Sequence, residues 1–111
     1  MPFCQLVLSY LMILQMTSSV AHNASDQEFT LVQDGYTAEL AYSFPAQHVI
    51  DFTHTFVEEG LRGQGVAEKL AQTGLAYARE QHLKVRTSCE FMQHFVERHP
   101  EYNELLDEAA A

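Results

Sequence analysis

The chain has no tryptophan, only two cysteines and three prolines, and a marked shortage of positive charge. Each absence excludes something. Cys4 and Cys89 stand near opposite ends in unlike contexts, so neither a cysteine-stapled scaffold nor a cysteine metal cluster is available. Six Lys and Arg face 15 Asp and Glu, for a net charge of −9. Residues 1–61 contain seven acids and no Lys or Arg at all. Nucleic-acid binding needs a basic stripe, so no nucleic-acid partner is expected. No apolar run is long and clean enough for a membrane span: residues 1–20 are interrupted by Gln5, Ser9, Tyr10 and Gln15.

What is present fits one folded domain. A length of 111 residues allows one real core and not two. Ser19-Val20-Ala21 would suit a secretory cleavage site, but the apolar stretch before it has no positive n-region. Residues 1–25 are therefore read as an apolar N-terminal extension, either signal-like or upstream of a true start at Met16. Residues 26–111 are read as the domain, and the protein as cytoplasmic.

From Phe29 onward the patterns sharpen. "FTLVQDGYTAELAYSF" reads as a β-hairpin turning at Asp34-Gly35, with alternation from Tyr36 to Phe44. "QHVIDFTHTFV" reads as a third strand, with His48, Ile50, Phe52, His54 and Phe56 on one face. A helix is predicted over 64–81, with Val66, Ala67, Leu70, Ala71, Gly74, Leu75 and Ala78 on its apolar stripe. "HLKVRTSC" reads as a fourth strand and "EFMQHFVERH" as a short helix ending before Pro100. The order is β-β-β-α-β-α, with a strand–helix–strand unit in its second half.

The third strand meets the long helix through "EEGLRGQGVAEKLA", residues 58–71. A helix start leaves backbone N–H groups without partners and carries partial positive charge. Glycines let the backbone approach a phosphate closely. An acidic chain can thus hold a polyanion with amides rather than lysines. No Gly-Lys-Ser/Thr follows, so this is not a P-loop, and Glu68 fills the third glycine position of a dinucleotide fingerprint.

"LRGQGVA" resembles the Arg/Gln-x-x-Gly-x-Gly/Ala signature of GCN5-related N-acetyltransferases, with Arg62, Gly65 and Ala67 in its defined positions. His54-Thr55, Cys89 with Phe91, and His99-Pro100-Glu101-Tyr102 extend the likeness over residues 29–106 to the small YjdJ-type subgroup. The resemblance implies an α/β (α+β) fold: a mixed, mostly antiparallel sheet with two to three helices, opening between its third and fourth strands to hold acetyl-CoA as acyl donor. It implies that the backbone of Gly63, Gln64, Gly65, Val66 and Ala67, with Arg62 beside it, takes the pyrophosphate. It implies that the strand edge near Val57 pairs with pantetheine and the acetyl carbonyl. The activity implied is acetyl transfer to an amine acceptor, on a protein or a small molecule.

Amine acetylation needs a base for the amine and an acid for the leaving thiolate. The subgroup usually reads His-Thr-Glu-Val, whereas this chain reads His54-Thr55-Phe56-Val57, so a carboxylate is missing. His54 is the local substitute as base, because imidazole titrates near neutrality; a half-buried packing role is the bland alternative. Cys89, ending the fourth strand, either takes the acetyl group covalently or only lines the acyl pocket. Tyr102 is a candidate acid for the thiolate, and otherwise a packed aromatic. The missing carboxylate keeps open a CoA-binding module without turnover, or a structural interaction domain.

Overall fold

The computed structural model describes residues 20–107. Its strands are β1 (Ala21–Asn23), β2 (Glu28–Gln33), β3 (Tyr36–Ala46), β4 (Val49–Val57) and β5 (Lys84–Thr87). Two α-helices follow β4 and β5: α1 (Val66–Glu80) and α2 (Glu90–Arg98). Short 3-10 turns occupy Ala24–Asp26, Glu59–Leu61 and Pro100–Leu105. The sheet order is β1-β2-β3-β4-β5, antiparallel except for the parallel pair β4–β5.

The hairpin forms as its turn chemistry requires. Gln33 pairs with Tyr36, and the two residues between them, Asp34 and Gly35, have φ of 54° and 81°. Positive φ at both central positions is the type I′ geometry, which matches the twist of the flanking strands. The first strand was not visible in the patterning. Ala21–Asn23 pair with Glu28–Thr30, and His22 stacks on Phe29 at 4.3 Å. This segment, assigned from sequence to the extension, lies here against the sheet; the candidate start at Met16 falls outside the described residues.

One face of the sheet is buried and the other is not. Phe29, Leu31, Ala38, Leu40, Tyr42, Ile50 and Phe52 all point to the covered face and are buried. The helix α1 lies across it so closely that a Cβ at Gly74 would come within 2.9 Å of the Phe52 ring and 3.1 Å of Leu40. Met92, Phe95 and Val96 of α2 join the same core. On the opposite face, Thr30, Val32, Thr37, Glu39, Ala41, His54 and Phe56 are all exposed or half-exposed.

A bulge in β4 corrects the facing expected for that strand. Ala41 pairs with His54, but Tyr42 pairs with Phe52, so Thr53 is an extra residue without a partner. An extra residue shifts a period-2 pattern by one. Ile50 and Phe52 therefore face the core, while His54 and Phe56 face the uncovered side. Thr55 and Val57, opposite the buried Leu40 and Ala38, take their place on the covered face.

Candidate acyl-donor site

The strands β4 and β5 are paired only from Val49–Lys84 to Phe52–Thr87. Beyond that point β5 ends, and β4 runs on to Val57 with its outer edge open toward the start of α2. The parting is fixed on both sides. Cys89 N–H donates to the Phe52 carbonyl at 2.9 Å, and the Asp51 carboxylate accepts from Ser88 N–H (3.0 Å) and its hydroxyl (2.7 Å). These bonds hold the start of α2 against the last paired residues. On the other edge, Glu58 N–H donates to the Thr37 carbonyl. Ladder alternation then turns the backbone groups of Thr55 and Val57 away from β3, toward the opening.

At the far end of β4 lies a cleft of about 320 Å³, lined by Val57, Leu61, Arg62, Gly63, Gly65, Val66, Ala67 and Glu68. The glycines make its shape possible. Gly63 and Gly65 adopt φ of 81° and 75°, in the left-handed region that other residues enter at a cost. A Cβ on either would enter open space rather than touch the protein. Gly65 caps α1, and the first intrahelical donor after it is Lys69 N–H, to the Gly65 carbonyl. The amides before Lys69 therefore keep their donors for another partner. That combination is the cradle an anion requires: amides, positive helix pole, no side chain in the way.

Of the residues expected to hold the donor, six line the cleft: Val57, Arg62, Gly63, Gly65, Val66 and Ala67. Gln64 is not among the lining residues, and its side chain points elsewhere. Its amide donates to the Gly60 carbonyl at 3.0 Å and accepts from Gln33 at 2.9 Å, so it braces the turn against the hairpin. Arg62 is not extended toward the cradle; its Nε donates to the Val57 carbonyl at 3.2 Å. A ligand pairing with that carbonyl must displace the guanidinium. Leu61 and Glu68 also line the cleft, and the sequence pattern gave no sign of the part played by Glu68, one carboxylate beside an anion cradle.

The two candidate catalytic residues lie on opposite faces of the sheet. Cys89 is buried on the covered face, and the bulge puts His54 on the other. The residue brought to the thiol is Thr55, with Oγ1 3.2 Å from Cys89 Sγ. Tyr102 sits at the other end of α1, under the Arg79 guanidinium at 5.5 Å and against Phe95 and His99. Arg79 is 13 residues past Val66, which puts Tyr102 about 20 Å along the helix from the cleft. It is a packing residue. His99 stacks on Phe95 at 4.1 Å. No described helix is long and apolar enough to cross a membrane, and no group of His, Cys, Asp or Glu among the described residues is arranged for a metal.

A half-parted five-stranded mixed sheet beside a glycine-turned helix start defines the class of fold, α+β. Comparison with known proteins narrows it: the profile of the GCN5-related N-acetyl-transferase family matches residues 28–105, and the chain belongs to that family. The chain is 31% identical to human protein NATD1 over 83 residues, covering 73% of this chain and 74% of that one. The zebrafish (Danio rerio) NATD1 is 32% identical over 91 residues, 78% and 83% of the two chains. The solution structure of a GCN5-like protein from Staphylococcus aureus superposes with a TM-score of 0.68 at 30% identity, covering 83% of this chain and 90% of that one.

Proposed function

We propose that the protein transfers acetyl from acetyl-CoA to an amine acceptor. The observation that carries this is the parting of β4 from β5 beyond Phe52–Thr87, with the glycine cradle at the end of the same strand edge. The backbone amides from Gly63 to Ala67 take the pyrophosphate. The open edge at Thr55 and Val57 takes the pantetheine arm and offers an N–H to the acetyl oxygen as negative charge develops there. The thioester then comes to rest near Cys89.

Two routes follow. In the direct route the amine nitrogen attacks the thioester carbonyl, the C–S bond breaks, and the amine's proton passes to the departing CoA thiolate. In the covalent route Cys89 Sγ attacks first, its proton leaves with CoA, and the acceptor amine then attacks the acetyl-cysteine and regenerates the thiol. The Thr55 hydroxyl, the hydrogen-bond partner of the thiol, supports the second route.

A reading as a CoA-binding module with little turnover is favoured by one observation: His54 lies on the opposite face from Cys89, leaving the thiol's neighbourhood without an evident base. Calorimetry with acetyl-CoA tests the shared step. Release of free CoA with a panel of amines separates enzyme from module. Acetyl-CoA binding with no release on any amine would leave only the module.

A further inference from the structure

The uncovered face of the sheet has a composition of its own. Along β2, β3 and β4 it carries Glu28, Val32, Glu39, His54 and Phe56. Val32 is 59% exposed and Phe56 42%. Glu39 is the direct cross-strand partner of Phe56, and Glu28 is diagonal to Glu39 through its pairing with Ala41. The strands β1–β4 supply no Lys or Arg, because all six basic residues lie from Arg62 onward. On β5, Arg86 is paired with Asp107 at 2.9 Å, and Lys84 Nζ donates to the Glu104 carbonyl at 2.9 Å. Glu28 and Glu39 thus have no Lys or Arg on their own strands or on the strands beside them. The pKa of Glu28 is raised by partial burial and then by repulsion from Glu39 and Asp26.

This face adjoins the acyl-donor site through a single strand. Thr55, which meets the Cys89 thiol, and Phe56, which meets solvent, are consecutive residues pointing to opposite sides of β4. The open edge of β4 is the passage between the two sides. A partner lying on the uncovered face thus has its groups beside the parting of the strands.

We propose that the uncovered face docks a basic, lysine-bearing segment of a protein acceptor. Glu28 and Glu39 attract the ammonium groups, and the exposed Phe56 ring and Val32 receive the aliphatic stems. An open sheet face suits an extended segment better than a small free amine. Charge complementarity commits it to a cationic partner, and complementarity of this kind sets specificity and encounter rate. The inference rests on the acyltransferase reading, because only a nearby thioester makes the segment a substrate.

The test uses the full chain and a lysine–glycine peptide, with the same peptide acetylated at every lysine as the neutral control. Binding is followed by fluorescence anisotropy at low salt, and acetyl-CoA binding by calorimetry in parallel. The double variant Glu28→Gln/Glu39→Gln should bind the basic peptide about tenfold more weakly and bind acetyl-CoA unchanged. Glu80→Gln/Glu97→Gln, of equal net charge but on the helices, should bind the peptide as wild type does. Phe56→Ser should weaken peptide binding with both carboxylates in place. Equal losses in the two double variants would mean that only net charge matters, and would overturn the proposal. So would tight binding of the acetylated peptide, or binding of free spermidine at this face without binding of the peptide. A protein that docks the peptide through Glu28 and Glu39 but fails to bind acetyl-CoA would keep the surface and refute the acyltransferase reading.

Discussion

The Thr55 hydroxyl lies 3.2 Å from the Cys89 thiol, joining β4 to the residue that opens α2 at the point where the sheet parts. If Cys89 carries the acetyl group, incubation with acetyl-CoA alone should add one acetyl mass, removable by hydroxylamine. Cys89→Ala should lose transfer while binding CoA. Thr55→Val keeps the shape and removes the hydrogen bond; loss of one such bond corresponds to a slowing of about tenfold in adduct formation. Full transfer activity in Cys89→Ala would leave direct attack by the amine as the route.

The cradle can be separated from backbone strain, because the chain has an internal control. Gly35 and Gly65 both adopt φ near 80°, and a Cβ on either meets no protein atom. Gly35→Val and Gly65→Val should each cost about 1–3 kcal/mol of stability, from forcing a side chain into the left-handed region. Only Gly65→Val should abolish CoA binding, since its side chain alone enters the cleft. Equal CoA affinity in the two variants, measured by calorimetry, would mean that the turn is structural.

Gly74 is fixed by contact rather than by conformation. A Cβ there meets Phe52 and Leu40 at 2.9 and 3.1 Å, and neither side chain is free to move in the core. Gly74→Val should destabilise the fold by about 1–3 kcal/mol through overpacking, visible as a lower urea midpoint. A midpoint equal to wild type would show that α1 can lift from the sheet without cost.

Glu58 ties the end of β4 to the start of β3. The Thr37 N–H and hydroxyl both donate to Glu58 Oε1 at 2.8 Å, and these bonds lower its pKa below the ordinary glutamate value. A depressed folded value stabilises the fold at neutral pH, and that stability is lost as pH falls through and below the ordinary carboxylate range. Glu58→Gln should therefore melt below wild type at neutral pH, with the gap narrowing on acidification. A gap that stays constant with pH would remove the ionised carboxylate from the explanation.

Beside its backbone pairing with β2, the edge strand is anchored by the His22 ring. His22 stacks on Phe29, meets the Tyr77 ring at 4.5 Å, and shares a 2.6 Å hydrogen bond with the Tyr42 hydroxyl. His22→Ala should cost about 1–2 kcal/mol, from lost ring contacts and one hydrogen bond. Thermal melts would show it, and an unchanged melting temperature would mean that β1 adds nothing to the domain.

The local features were legible because their causes are local. Asp34-Gly35 turns the hairpin, since only such residues take two successive positive φ values cheaply. The stripe from Val66 to Ala78 makes α1, and the glycines of 63–65 make the strand-to-helix turn, each within a few residues of sequence. The facing of His54, Thr55 and Phe56 had no local cause. Alternation carried from Phe52 put His54 toward the core, and a single unpaired residue, Thr53, reversed it. Nothing in "DFTHTFV" marks the bulge, which shows only in the pairing of β4 with β3. The pairing of Ala21–Asn23 was hidden for a related reason, because three exposed residues carry no hydrophobic period and gain their place only from the edge of β2. The sequence alone determined where the chain would turn, coil and present free amides. Tertiary pairing decided that Thr55 rather than His54 meets Cys89, and that the acids of β2 and β3 share an open face with Phe56.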